Sequence, residues 1–350
     1  MQTSMGSQLG RRGFLAGSVV TGLGLAGCGL QSAGDQTATK LTIYSPRPKA
    51  ITDHVIAEFK RAHTQYDVQL LTLGAAEVAD RIRAEKANPQ ADVWWGGTPS
   101  IFGAAVKDDL VAAFPEAVTG LVPDKFHGED KLWLAEMQQL QLFIYNHDMI
   151  KEAEVPNDWA DLIDPRYKNK FIIRDVAASG TMRGIYSSII YQYYKTDKLP
   201  DAGYDFLRKF DANTVDYAAN PEQLYLRLTR QEAPLSLWNH QDTLTQAKGG
   251  APFSIKVPAS GACLNLDGIA RVKGGRNEQG AVDFATFVLS DGMQTWLAEN
   301  AFQIPTREIA SKPEWLSRIE VKELPVDRTV LAAKEKEWTT YWVSNIKNQG

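Results

Sequence analysis

The chain is poor in cysteine, in basic clusters and in long apolar runs, and each shortage narrows what it can be. Only two cysteines, Cys28 and Cys263, occur in 350 residues, so at most one disulfide is possible. Neither they nor the five histidines show C-x-x-C or H-E-x-x-H spacing, so no structural zinc site is expected. Lys and Arg number 38 against 42 acidic residues, a formal charge of −4. No basic run interleaves with aromatics, which excludes a nucleic acid held through its phosphates. Any anion must be held locally. The uncharged apolar run from Phe14 to Ala26 falls short of the roughly 20 residues that span a bilayer. There is no G-x-S-x-G elbow, and the pair His240 and Asp242 has no nucleophile that the sequence places beside it. An exported hydrolase is therefore set aside; no enzyme and no cofactor is expected.

The composition that remains, 44% hydrophobic, 10% aromatic and 23% charged, is that of an ordinary folded protein. Its length favours two apolar cores with a cleft between them. Arg11-Arg12 before the Phe14 to Ala26 run has the layout of a signal peptide over 1–27. The phrase R-R-x-F-L resembles a twin-arginine signal, with Gly10 where such signals have Ser or Thr; the general secretory route stays open. Leu25-Ala26-Gly27-Cys28 resembles a lipobox, which makes Cys28 the expected lipid anchor and 28–39, small and polar, a tether. The expected location is periplasmic or extracytoplasmic, at a membrane surface.

Along the body, Lys40 to Ser45 alternates as a strand does and is stopped by Pro46 and Pro48. A helical period follows over 51–62, a strand over 68–73, a helix over 75–87, and a strand ending in Gly96-Gly97 before a helix start at Thr98-Pro99-Ser100. This alternation predicts a mainly parallel sheet. The stretch 131–146 is long enough to pass between lobes and carries the hinge. Beyond it the pattern predicts a strand over 170–174, a helix after Thr181, a strand over 234–238, a returning strand over 262–272, and helices over 281–297 and 328–342.

Four phrases in this order carry a resemblance: L-T-I-Y-S-x-R at 41–47, A-D-V-W-W-G-G at 91–97, W-A-D-L-I-D-P-R-Y-K-N-K at 159–170 leading to A-S-G-T at 178–181, and L-N-L-D-G-I-A at 264–270. Together they resemble the periplasmic substrate-binding proteins of bacterial ABC importers, type II fold, in the branch of ferric-iron and organophosphate binders. The resemblance implies an α/β, two-lobed architecture, each lobe a mainly parallel sheet flanked by helices, with ligand in the interlobe cleft. It divides the body into lobe 1 (40–141 plus 264–308), lobe 2 (142–263) and a C-terminal helical region (309–350) packing across the lobes. It also implies an ABC permease as partner and a monomeric carrier, or alternatively a subunit that presents its ligand to a membrane sensor.

Helix N-termini bind anions without a basic surface, so two hydroxyl-rich starts are candidates: Ser179, Gly180 and Thr181 in the second lobe, Thr98 and Ser100 in the first. Arg47, with Ser45 on the same loop, can grip an oxyanion bidentately. Trp238, Asn239, His240 and Asp242 follow a strand expected to end at the cleft and suit hydrogen bonding to a small organic molecule; Asn146 sits at another strand end. Iron-binding members carry neighbouring tyrosines in the second lobe. Here Asn239 to Asp242 has none, and the cluster Tyr191, Tyr193 and Tyr194 falls two to three turns into a helix. The expected ligand is a small organic anion, phosphorylated or phosphonate, with ferric iron as the alternative.

Overall fold

The computed structural model describes residues 38–348; the signal peptide, Cys28 and the tether up to residue 37 lie outside the described residues. The strands are β1 (Thr39–Ser45), β2 (Tyr66–Thr72), β3 (Val93–Trp95), β4 (Val111–Ala112), β5 (Leu134–Asn146), β6 (Phe171–Arg174), β7 (Thr214–Ala218), β8 (Leu235–Asn239), β9 (Phe253–Lys256), β10 (Cys263–Val272) and β11 (Ile304–Pro305). The α-helices are α1 (Lys49–Ala62), α2 (Ala75–Ala84), α3 (Pro99–Lys107), α4 (Glu116–Thr119), α5 (Gly180–Asp197), α6 (Asp201–Asp211), α7 (Pro221–Thr229), α8 (His240–Lys248), α9 (Glu278–Val288), α10 (Asp291–Ala301), α11 (Glu314–Ser317) and α12 (Arg328–Asn345).

Main-chain pairing runs in the order β2-β1-β3-β10-β5-β8-β6-β7. At one end β2, β1 and β3 are parallel; at the other β7, β6 and β8 are parallel. Between them β5 and β10 run antiparallel to each other and to their neighbours, so two parallel sheets are joined by one antiparallel ribbon. Apolar side chains collect into two clusters accordingly. One holds Leu41, Ile43, Val93, Trp94, Phe102, Leu134 and Phe284. The other holds Leu140, Phe143, Ile172, Ile185, Leu235 and Leu237. The changeover falls between Ala135 and Leu140 on β5 and between Cys263 and Leu266 on β10. This is the two-lobed α/β fold expected from the sequence.

One local expectation changes. Ser290 accepts the Met293 N–H and caps a new helix, so the single helix over 281–297 is in fact α9 followed by α10. In the C-terminal region Trp315 donates to the Ala298 carbonyl on α10 at 2.9 Å, while α12 sends Trp338 and Trp342 into the second core, against α5. The ribbon itself is bulged: the β5–β10 register shifts at Asp267 and Gly268. A Cβ on Gly268 would lie 2.6 Å from the Leu134 carbonyl oxygen, so only glycine allows this approach. The bulge brings Glu136 and Met137 side by side under the loop that follows β1.

Candidate functional site

In each parallel sheet the carboxyl ends of the strands and the following helix N-termini face the ribbon, the place where open α/β sheets bind ligands. On the first-lobe side, Ser45 is fully buried, donates to the Trp95 carbonyl at 2.6 Å and accepts the Arg47 N–H at 3.2 Å. Its hydroxyl is spent on tying the loop. Arg47, expected to grip the ligand, is 6% exposed and turned inward. Its guanidinium contacts Glu136 directly, reaches Met137 Sδ at 3.1 Å and Asp267 Oδ1 at 3.3 Å, and lies over the Trp95 ring. Glu136 is fully buried, and burial pushes its carboxyl up against the opposing pull of Arg47. Asp267 stays 31% exposed and accepts the Gly97 N–H at 2.6 Å. This wall thus sets two carboxylates against one guanidinium. Thr98 and Ser100, at the start of α3, hydrogen-bond each other at 3.0 Å.

On the second-lobe side, Ser179 caps α5: its hydroxyl accepts the Met182 N–H and its carbonyl the Arg183 N–H. The N–H groups of Gly180 and Thr181 have no acceptor among the described residues. Arg183 Nη2 lies 3.6 Å from where a Gly180 Cβ would stand, and its other nitrogens reach Glu335 and the Ala177 carbonyl. Arg174, at the carboxyl end of β6, is 7% exposed and donates to the Ala218 and Asp175 carbonyls, and its charge adds to the pull on the Asp175 carboxylate. The only sequence signal for Arg174 is a charge closing the apolar strand Phe171 to Arg174. Asp175 beside it is ion-paired with Lys347 at 2.5 Å.

The remaining candidates are placed elsewhere or are internally engaged. Asn146 lies at the far end of β5: the register sets Gln141 against Asn239 and Tyr145 against Leu235, so Asn146 stands at the amino end of β8, beyond the part of β5 that pairs with β10. It is fully buried and bonded to the Leu228 carbonyl. Asn239 caps α8 through the Asp242 N–H. Asp242 in turn accepts from Asn239, Trp238 and Tyr225. His240 is fully buried; Nδ1 accepts the Leu140 N–H at 3.1 Å, which leaves Nε2 to donate to the Phe302 carbonyl at 2.9 Å. Burial lowers its pKa to about 4. It joins α8 to the end of α10 and does not line the cleft. Tyr193 and Tyr194 pack on Phe206 and Trp338 in the second core.

Between the walls the ribbon presents a polar floor. Asp267 pairs with Met137, Asn265 with Gln139 and Cys263 with Gln141, every second residue on one face. Gln141 is fully buried and neither amide atom has a hydrogen-bond partner among the described residues. Its Oε1 lies 3.5 Å from the position of a Gly184 Cβ on α5, and Asn265 Oδ1 lies 4.0 Å from the same point.

Two lobes on a crossing ribbon, with helix N-termini around a polar floor, define a solute-binding protein. The family model described as bacterial extracellular solute-binding protein matches residues 54–322, and the chain belongs to that family, which supplies ABC importers. A Salmonella typhimurium periplasmic protein named for 2-aminoethylphosphonate binding is 28% identical over 251 residues, 70% of this chain and 71% of that protein. Among solved structures, apo ferric-ion-binding protein A of Pasteurella haemolytica superposes with a TM-score of 0.75 at 18% identity, covering 88% of this chain and 98% of that one. A periplasmic binding protein from Actinobacillus pleuropneumoniae with fructose-6-phosphate bound gives 0.67 at 24%, covering 89% and 99%.

Proposed function

We propose that this chain captures a small organic anion, a phosphorylated or phosphonate compound, by closing its lobes, and delivers it to an ABC permease. The observation that supports this reading is the first turn of α5, where the Gly180 and Thr181 N–H groups have no acceptor among the described residues and Arg183 Nη2 lies beside them, close in sequence to Arg174 at the carboxyl end of β6. Helix N-terminal N–H groups and a guanidinium are what a phosphoryl group requires. Ferric iron fits less well, because the dense tyrosines are built into the second core. Capture makes and breaks no covalent bond, in keeping with relatives that are binding proteins. Cys28 holds the exported chain to a membrane by its lipid, on the strength of the Leu25 to Cys28 phrase.

A thermal-shift screen of phosphonates, phosphate esters, carboxylates, polyamines and ferric iron tests the ligand class. A true ligand at 100 times its Kd stabilises by about 2.7 kcal/mol. Stabilisation by phosphonates or phosphate esters is expected; stabilisation by ferric iron alone contradicts the reading.

A further inference from the structure

The turn that leads into α5 is held from outside by the far end of the chain. Within it, the Asp175 N–H donates to the Ala218 carbonyl at 2.8 Å and the Ser179 N–H to the Val176 carbonyl at 3.3 Å, while Asp175 Oδ1 accepts the Ala178 N–H at 2.9 Å. Asp175 thus fixes the peptide two residues ahead of Gly180. Its other oxygen, Oδ2, accepts from Lys347 Nζ at 2.5 Å, across 172 positions of sequence.

Lys347 is itself held in place. Trp338 and Trp342 anchor α12 in the second core, and the fully buried Ile346 carries that anchor to the residue before Lys347. On the other side the Asn348 N–H donates to Asp211 Oδ1 at 3.2 Å, and the Lys347 ammonium lies 5.5 Å from the centre of the Tyr217 ring. The Lys347 and Asp175 side chains are 28% and 18% exposed, so solvent screens their attraction less than it would on an open surface. Burial pushes the Asp175 carboxyl up, but Lys347, the Ala178 N–H and Arg174 together hold it below its ordinary value. Asp175 therefore carries a full negative charge at neutral pH.

A carboxylate beside a helix start repels an anion that arrives there. Among the described residues around this turn, Arg174, Arg183 and Lys347 stand against Asp175 and Glu335, which leaves one positive charge in excess. Asp216 on β7, on which Lys347 also acts, is paired with Arg227 at 2.6 Å. Without Lys347 the excess disappears, and Arg174 alone is left to answer Asp175.

Resting on the phosphonate or phosphate reading above, we infer that Lys347 is a positioning residue of the anion site: it neutralises Asp175 and holds that carboxylate on the Ala178 N–H, so that the Gly180 and Thr181 N–H groups are presented on a fixed turn of net positive charge.

Isothermal titration with 2-aminoethylphosphonate, fructose-6-phosphate and inorganic phosphate tests this on the wild type, Lys347→Met, Lys347→Arg and the double variant Asp175→Asn with Lys347→Met. For each probe that the wild-type protein binds, Lys347→Met is expected to weaken binding roughly tenfold, and Lys347→Arg to keep it. The double variant carries no charge at either position, and its Asn can still accept the Ala178 N–H, so it should return to within about threefold of wild type. In the ligand-free protein, hydrogen–deuterium exchange at Ala178 should quicken in Lys347→Met and stay unchanged in Lys347→Arg. Wild-type affinity in Lys347→Met, a loss that the double variant does not restore, or unaltered exchange at Ala178 overturns the role of Lys347 and leaves the anion reading standing. No heat from any of the three probes with the wild-type protein overturns both.

Discussion

At the scale of single residues, the first-lobe wall depends on a charge pair that solvent does not reach. Arg47 and Glu136 are 6% and 0% exposed, and removing Glu136 leaves the buried guanidinium with only the partly exposed Asp267, at 3.3 Å, as counter-charge. Glu136→Ala is expected to cost about 3 to 5 kcal/mol in chemical denaturation, while Glu136→Gln, which keeps a hydrogen-bonding partner, should cost less. Equal and small losses in both would mean that the pair carries no stability. This pair is not legible in the sequence. Its members stand 89 positions apart, and Glu136 lies inside an otherwise apolar and Gln-rich strand, where only the bulge turns it under Arg47. The Ser179 cap is legible, because capping chemistry is local and a Ser-Gly-Thr phrase states it directly. Arg47 can be read as a cation near the cleft, but what neutralises it is set by the fold.

Among the elements, the contact between α8 and the end of α10 couples the lobes. His240 Nε2 donates to the Phe302 carbonyl and Gln241 Nε2 to the Ala301 carbonyl at 2.7 Å, so second-lobe side chains hold the last turn of a first-lobe helix. His240 must be neutral for its Nδ1 to accept the Leu140 N–H. Its folded pKa of about 4 lies below the unfolded value of 6.5, so protonation favours the unfolded chain. Its contribution is full above about pH 6.5 and is lost as the pH falls toward 4, a span worth about 3 kcal/mol. Denaturation of wild type and His240→Asn across this range should show a gap that is widest at pH 7 and narrows on acidification. A gap independent of pH contradicts the latch. The strands and helices nearest the ribbon are legible because their phrases alternate or cap locally. The α9–α10 break is not: the apolar period continues through Leu289, and only the Ser290 cap interrupts it. Asn146 misleads for a related reason, since a strand end is visible in sequence but the strand's direction relative to the cleft is set by antiparallel pairing with β8.

In the whole molecule, two parallel sheets joined by the β5–β10 ribbon turn the strand ends and helix starts of both lobes toward that ribbon, so a ligand that bridges the lobes favours the closed arrangement. If Cys28 is acylated, Cys28→Ser should shift the processed protein from the membrane to the soluble fraction, as fractionation and immunoblotting would show; continued sedimentation of the processed variant contradicts the anchor. The central claim is that an organic phosphonate or phosphate binds between the lobes on the first turn of α5. Hydrogen–deuterium exchange of the wild-type protein, with and without saturating 2-aminoethylphosphonate, tests it most directly. The account predicts protection concentrated at Gly180 and Thr181, whose N–H groups are otherwise free, and at Gly97 to Ser100 on the facing wall; saturation with protection elsewhere, or with none at the start of α5, would contradict it.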